Sequence, residues 1–375
     1  MPELRGAEAV FDASDRLHRR ARALVSAFVS GGEPPESFDQ LACDLGRYQA
    51  EHVEGFARLC RARGVDAAKA TRAIDFPAVP TDAFKMARVA AFPESEARAV
   101  FRTSGTTIGA RGTHAMRDVG TYDAAALAFG RVALAHDLPP RFPVLVLGLS
   151  PKDAPDSSLG HMNALFVREM GTLATEAETY LVDPAGIIDL DAFDRRVSRA
   201  LVDDQPLLLL GTSFAFVHLL DALGEDPFRL PRGSRVMQTG GYKGKSREVP
   251  ADVLRRDLSR AFHVPVASIV AEYGMTELSS QFYEWTLHGP ALRHGVYVEP
   301  PWARVVPVDP ESLQPVPEGE VGIARIEDLM NVDSAFAVLA ADRVRRVERG
   351  FELLGRAPGA PPRGCSIAID EILGR

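Results

Sequence analysis

Cysteine is scarce in this sequence. There are three, Cys43, Cys60 and Cys365, an odd and widely spaced set that excludes a disulfide framework and points to a reducing compartment. None stands in a spacing with histidines that would make a metal cluster. Net basic charge is lacking too. Asp and Glu outnumber Lys and Arg by 51 to 43, for a formal charge of -8. That balance argues against a nucleic-acid partner and leaves room only for local basic sites. No apolar run is long enough to cross a bilayer, and the N-terminus MPELRGAEAVFDAS has no apolar signal core. The expectation is a cytoplasmic protein with no transmembrane segment. No internal repeat is visible, and the absence of GxxxxGK[ST] excludes the common P-loop.

What is present is 375 residues, 46% hydrophobic and 25% charged, enough for one large domain or two smaller ones with a full core. The chain centres on FRTSGTTIGARGTHAMRD at 101–118. Thr103, Ser104, Gly105, Thr106 and Thr107, followed by Gly109, supply hydroxyls and glycines in one short run. Glycine lets backbone approach a ligand closely, and successive N–H groups form a nest for an anion. A phosphate-holding loop is one reading; an ordinary Gly/Thr/Ser turn is the other.

Around it the pattern is strand, small-residue loop, helix. Residues 11–30 and 38–63 have helical rhythm, separated by the turn GGEPPES. Asp118 caps a helix over 118–136. FPVLVLGLS, LLLLG and VPVASIVAEY carry short apolar runs that read as buried parallel strands; SRVMQT reads as a strand before the Gly-Gly turn at 240 and 241, and 180–182 as a short strand. Helices are expected at 163–170, 189–203, 216–223 and 250–262. Ligands in such sheets bind beyond the strand ends, which singles out His161, Phe214 and the TGGYKGKSREV stretch with Gly240, Gly241, Lys243 and Lys245. From Pro300 the texture becomes short strands and turns. In the tail PGAPPRGCSIAIDEILGR, Cys365 reads either as a small buried residue, as a lone cysteine usually is, or as an exposed thiol on a mobile segment, whose thiolate Arg363, two residues before it, would favour. The division is a helical region over 1–75, an α/β core over 76–299, and a β-rich part with a short tail over 300–375.

Three stretches, in order, resemble the adenylate-forming superfamily: SGTTIG at 104–109, YGMTE at 273–277, and LAADR at 339–343 followed by Gly355-Arg356. VPTDAFK at 79–85, GTHAMRD at 112–118, TGGYKGKSREV at 239–249 and RGCSIAIDE at 363–371 are similar to one branch of it, the LuxE-type acyl-protein synthetases. The resemblance implies an α/β fold of the adenylate-forming (ANL-like) kind, with a helical N-terminal cover, a β-rich distal subdomain and little or no lysine-bearing C-terminal domain. It implies ATP and Mg²⁺ as cofactors, a fatty or other carboxylic acid as substrate, and an acyl-CoA-reductase-like protein as partner. Cys365 would carry the acyl group. Thr103 to Thr107 and Gly109 would hold phosphates, Thr276 the AMP phosphate, and Glu277 the Mg²⁺ ion. Tyr273 and Gly274 would line the adenine pocket with Gly240 and Gly241, Asp342 would bind ribose, and Arg356 would mark the hinge.

His161 would lie between the carboxylate and nucleotide pockets, with Lys85 and His114 as weaker candidates. The family's loop is followed by lysine; here Ala110-Arg111 stands instead, so Arg111, Lys243 or Lys245 would supply that charge unless these are solvated side chains. Two other functions fit the same residues: an acyl- or aryl-CoA ligase of the phenylacetate-CoA ligase type, and a non-catalytic nucleotide- or acyl-binding subunit.

Overall fold

The computed structural model of the protein describes residues 2–103, 111–224, 228–240, 249–289, 293–357 and 363–374. In chain order the helices are α1 (Pro2–Ser30), α2 (Phe38–His52), α3 (Glu54–Ala62), α4 (Ala83–Met86), α5 (Gly120–Ala135), α6 (Ser158–Met170), α7 (Glu176–Thr179), α8 (Leu190–Val202), α9 (Ser213–Leu223), α10 (Ala251–Phe262) and α11 (Arg363–Leu373). The strands are β1 (Val79–Pro80), β2 (Ala99–Arg102), β3 (Thr113–Met116), β4 (Val144–Leu147), β5 (Leu208–Thr212), β6 (Arg235–Thr239), β7 (Ile269–Tyr273), β8 (Phe282–Glu284), β9 (Val296–Val298), β10 (Ala303–Val308), β11 (Val321–Asp328), β12 (Ala337–Val347) and β13 (Gly350–Arg356). They fall into two compact units. Unit 1 holds residues 1–128, 275–281 and 298–375; unit 2 holds 129–274 and 282–297. Both ends of the chain share unit 1.

Unit 2 is the parallel sheet. β4, β5, β6 and β7 run side by side in parallel, with Val144 opposite Leu208, Leu209 opposite Val236 and Met237 opposite Val270. β8 adds an antiparallel partner to β7. All four parallel strands are buried along nearly their whole length, as continuous apolar runs require when helices cover both faces. Phe193, Phe216 and Phe262 from α8, α9 and α10 pack with Leu145, Leu209 and Val236 in one core. Removing these side chains from water is the main stabilising term, about 2 kcal/mol for each. Phe216, with no exposed surface, is therefore core. The residues at 180–182 form isolated bridges, Tyr180 to Val146 and Val182 to Ile188, where a short strand was expected.

Unit 1 is built on the antiparallel order β10-β11-β12-β13, with β1 lying parallel to the start of β12. The helical rhythm across 38–63 proves to be two helices. Val53, with φ -105° and ψ 99°, ends α2 and begins α3; periodicity cannot see a one-residue break that keeps the apolar faces in step. Ser37 caps α2 by accepting from the Gln40 N–H. Within α2, a Cβ on Gly46 would sit 2.5 Å from the Phe76 ring, so glycine there admits the aromatic side chain. Phe76 in turn stands edge-on to Phe336, with centroids 5.6 Å apart.

Several elements were not expected, among them the short helices α4 and α7 and the strand β8; two further features bear on the site. β2 and β3 form an antiparallel pair, with Phe101 opposite His114; residues 104–110, which stand between them in the sequence, lie outside the described residues. The tail from Arg363 is the helix α11, packed against α3, β1 and α4.

Candidate functional site

Six residues proposed for phosphate or charge contacts, Ser104, Gly105, Thr106, Thr107, Lys243 and Lys245, lie outside the described residues, as do Gly109 and Gly241. The neck of the loop is described. The Thr103 N–H donates to the Gly112 carbonyl at 2.9 Å, and the Gly112 N–H donates to the Thr103 hydroxyl, also at 2.9 Å. Arg111 folds back on this neck, donating to the carbonyls of Thr103 (2.7 Å) and Arg102 (3.2 Å). A Cβ on Gly112 would stand 3.1 Å from Thr103 Cγ2 and 3.4 Å from Lys85 Cγ. The stem of Lys85 therefore packs beside the neck, while its ammonium pairs with Asp82 at 2.6 Å.

His114 follows on β3 and is almost fully buried. A carbonyl oxygen only accepts, so Nδ1 carries the ring proton and donates to the Thr276 carbonyl at 2.8 Å. Nε2 then accepts from the Ser334 hydroxyl at 2.9 Å. Burial drives the His114 pKa down to about 4, which keeps the ring neutral at pH 7.

The YGMTE motif is divided between the units: Tyr273 and Gly274 end the parallel sheet, and Met275 to Glu277 belong to unit 1. Glu277 is buried. Its carbonyl accepts from the Asn331 amide at 2.9 Å, and that side chain also donates to the Ala335 carbonyl (2.9 Å) and accepts from the Ser279 hydroxyl (2.6 Å). Asp328 completes the hold, accepting from the Ser279 N–H (2.8 Å) and the Ser280 hydroxyl (2.7 Å). Two neutral side chains, His114 and Asn331, thus grip consecutive carbonyls of the segment that carries Thr276 and Glu277. A polar cavity of about 20 Å³ lies beside them, lined in part by His18, His114, Ser279, Asn331, Asp333 and Ser334.

Behind Ser334 sits a second buried cluster. Asp333 accepts from the Ser14 hydroxyl (2.6 Å), the Tyr48 hydroxyl (2.9 Å) and His18 Nε2 (2.9 Å). Burial works against the Asp333 charge, but His18 and the other donors more than offset it and hold the carboxyl below its usual range. This cluster ties α1 and α2 to the segment before β12.

Cys365 lies in the first turn of α11 and is 5% exposed. The mobile, exposed thiol read from the tail is corrected: Gly364 donates to the Pro310 carbonyl at 3.2 Å, and Arg58 donates to the Ile372 carbonyl at 2.6 Å at the far end. Burial, helped by the charge of Asp82, pushes the thiol pKa up to about 11. Composition missed this because glycine and proline beside a short apolar segment read as a loop, whereas the helix is held by its packing. The side chain of Arg363 is outside the described residues.

Asp342 and Arg356 are brought together as opposite residues of β12 and β13, with Arg356 Nε 3.8 Å from Asp342 Oδ1. In unit 2 the parallel register, with Thr239 opposite Glu272, sets Gly240 and Tyr273 at the C-terminal ends of the neighbouring strands β6 and β7. Gly240 has φ +70° and its carbonyl accepts from the Ser213 hydroxyl at 2.9 Å. Tyr273 is buried between Phe282 and Tyr297, each ring 6.0 Å away. His161 lies in α6, capped by Ser157, and Phe214 contacts the His218 ring.

Glu272 is a residue the sequence reading passed over, fully enclosed and bonded to the Thr239 hydroxyl. Burial lifts its carboxyl to about 7. A charged residue inside the apolar run SIVAEY was the available signal. Asn331 and Ser334 offered none, since their partners are distant in sequence.

Three of the motifs, and the second half of a fourth, therefore meet inside unit 1. VPTDAFK touches GTHAMRD through Phe84 and His114, rings 5.8 Å apart. GTHAMRD holds the second half of YGMTE through Thr276, and RGCS lies on β1 and α4 near Asp82. Residues 38–374 match the family described as "Acyl-protein synthetase, LuxE".

The chain belongs to the LuxE acyl-protein synthetase family.

Among curated proteins this LuxE-family chain is similar to a long-chain-fatty-acid–luciferin-component ligase of Vibrio harveyi. The two are 24% identical over 196 residues, 49% of this chain and 50% of that protein. The chain spans about half the length of the curated relative it matches. Among solved structures it resembles 2-hydroxyisobutyryl-CoA ligase in an open conformation with 2-HIB-AMP and CoA bound, at TM-score 0.58 and 14% identity, covering 85% of this chain and 69% of that one. The same ligase in its thioesterification state aligns at TM-score 0.58 and 15% identity, over 85% and 67% of the two chains. These likenesses give the LuxE-family chain an adenylate-forming fold. Among the described residues, no helix is long and apolar enough to cross a membrane.

Proposed function

We propose that this chain activates a fatty or related carboxylic acid with ATP, then carries the acyl group on Cys365 for delivery to an acyl-CoA-reductase-like partner in the cytoplasm. The observation that carries the reading is the family match over 38–374; the contacts of GTHAMRD with VPTDAFK and with Thr276 inside unit 1 support it. In the first step a carboxylate oxygen attacks the α-phosphorus of ATP, and the bond to pyrophosphate breaks. In the second the Cys365 sulfur attacks the acyl carbonyl carbon. The C–S bond forms, the C–O bond to AMP breaks, and the thiol proton goes to solvent.

Thr103 and the loop it closes hold the phosphates, with Gly112 keeping the neck narrow. Arg111, bonded to carbonyls on that neck, braces the loop, and Lys243 and Lys245 are left to add positive charge. Gly240, Gly241, Tyr273 and Gly274 shape the adenine pocket, Asp342 beside Arg356 takes the ribose, and His161 faces the carboxylate. Among the described residues no group of three or more His, Cys, Asp or Glu could hold a metal ion. Mg²⁺ carried on nucleotide phosphates needs only one or two carboxylates, a need that the buried carboxylate of Glu277 fits. When bound, Mg²⁺ would offset the negative charge that otherwise repels the incoming carboxylate.

Burial of Cys365 favours a second reading, an acyl- or aryl-CoA ligase in which this cysteine is structural. Incubation with ATP, Mg²⁺ and a panel of carboxylic acids, with and without CoA, separates the two. Acyl transfer to the chain that is lost in Cys365→Ser supports the first; CoA-dependent turnover that survives the substitution supports the second.

A further inference from the structure

We propose that His114 is a positioning residue: its Nδ1–H fixes the Thr276 carbonyl and so sets the side chains of Thr276 and Glu277 for the adenylation step. The inference rests on the reading of Thr276 and Glu277 as nucleotide- and Mg²⁺-facing. Four observations carry it. His114 lies on β3, two residues after the Gly112 end of the neck and opposite Phe101 in the ladder. Its ring is closed in on both sides, by the Phe84 ring at 5.8 Å and by Ser334 at Nε2. Its one donor is spent on the Thr276 carbonyl at 2.8 Å. The next carbonyl, of Glu277, is held independently by Asn331 at 2.9 Å.

The result is a rigid link from the base of the Thr/Gly loop to the segment after the parallel sheet, made by a side chain that touches no reacting atom in this account. A buried carbonyl that loses its donor keeps the cost of its desolvation, so the 275–280 segment has a reason to shift when the ring is removed. Ser334 orients the ring by donating to Nε2, which leaves Nδ1 as the protonated nitrogen.

The two ring nitrogens can be tested separately. Asn places an amide N–H where Nδ1 stands; Gln places an amide near Nε2. Full-length wild type, His114→Asn, His114→Gln, His114→Ala and Glu277→Ala are compared by ATP–pyrophosphate exchange with Mg²⁺ and a panel of straight-chain fatty acids. Amide hydrogen exchange over 275–280 is followed in parallel. We expect His114→Ala and His114→Gln to lose roughly tenfold or more in kcat with KM for ATP nearly unchanged, the loss of one buried hydrogen bond felt in the transition state. We expect His114→Asn to stay within about threefold of wild type. Exchange at 275–280 should rise by about tenfold in the Ala and Gln variants and not in the Asn variant.

Wild-type kcat in folded His114→Ala, or recovery by Gln and not by Asn, overturns the proposal. If Glu277→Ala keeps wild-type activity, the underlying reading of that carboxylate fails instead. Should the Ala variant not fold, the Asn–Gln comparison decides. Should no acid of the panel support exchange, unchanged amide protection in the Gln variant rejects the proposal.

Discussion

Glu272 and Cys365 owe their chemistry to burial. The Glu272 carboxyl, lifted from 4.5 to about 7, holds a proton in the folded state that the unfolded chain releases. Its contribution to stability is complete below pH 4.5 and is lost as pH rises through about 7. Glu272→Gln removes that loss. Relative to wild type, the variant should gain about 2–3 kcal/mol between pH 5 and pH 8 in denaturant unfolding; a parallel pH dependence in the two proteins would contradict it. His114 has the opposite sign. With its pKa lowered to about 4, its contribution is present above the ordinary value of 6.5 and lost as pH falls through 4. At Cys365, Asp82 adds to the effect of burial. Asp82→Asn, in a Cys43→Ser/Cys60→Ser background, should lower the thiol titration, followed by thiolate absorbance, by less than burial raises it. An unmoved or raised titration would mean that Asp82 exerts no field there.

At the scale of elements, the strands of unit 2 were legible because a parallel strand buried on both faces must be apolar throughout. VLVL, LLLG, RVMQT and IVAEY are close to that pattern. The antiparallel pair β2–β3 was not legible: four-residue strands flanking a long Gly/Thr stretch leave too few alternating positions to count. Nor was α11, whose eleven residues owe their helix to α3. Gly55 meets Ile372, Arg58 caps the last turn, and Arg63 pairs with Glu371 at 2.7 Å. Gly364 makes the N-terminal end possible, since a Cβ there would stand 2.7 Å from the Pro310 carbonyl oxygen. Backbone cannot yield as a side chain can. Gly364→Ala should therefore cost about 2 kcal/mol in unfolding and speed native-state alkylation of Cys365; unchanged stability and labelling would show that α11 tolerates the displacement. The same packing sets a condition on function: a thiol in this position meets an acyl-adenylate only when α11 gives way.

For the molecule as a whole, the sequence named the family from motifs and the fold followed, but the site was only partly visible. Thr103, Thr276, Asp342, Arg356 and Cys365 were named as candidates from their motifs. The residues that hold the 276–280 segment, Asn331 and Asp328 directly and Ser334 through His114, act through contacts across more than forty residues of chain, which no local pattern encodes. The central claim is a relay from ATP to carboxylate to Cys365. Intact-mass measurement after incubation with ATP, Mg²⁺ and a fatty-acid panel, in wild type and Cys365→Ser with AMP release followed alongside, tests it most directly. The account predicts that wild type gains one acyl mass, labile to hydroxylamine, while the variant still forms AMP and gains none. An equal acyl mass on Cys365→Ser, or no AMP from wild type across the panel with an acyl-CoA-reductase-like protein present, would contradict it.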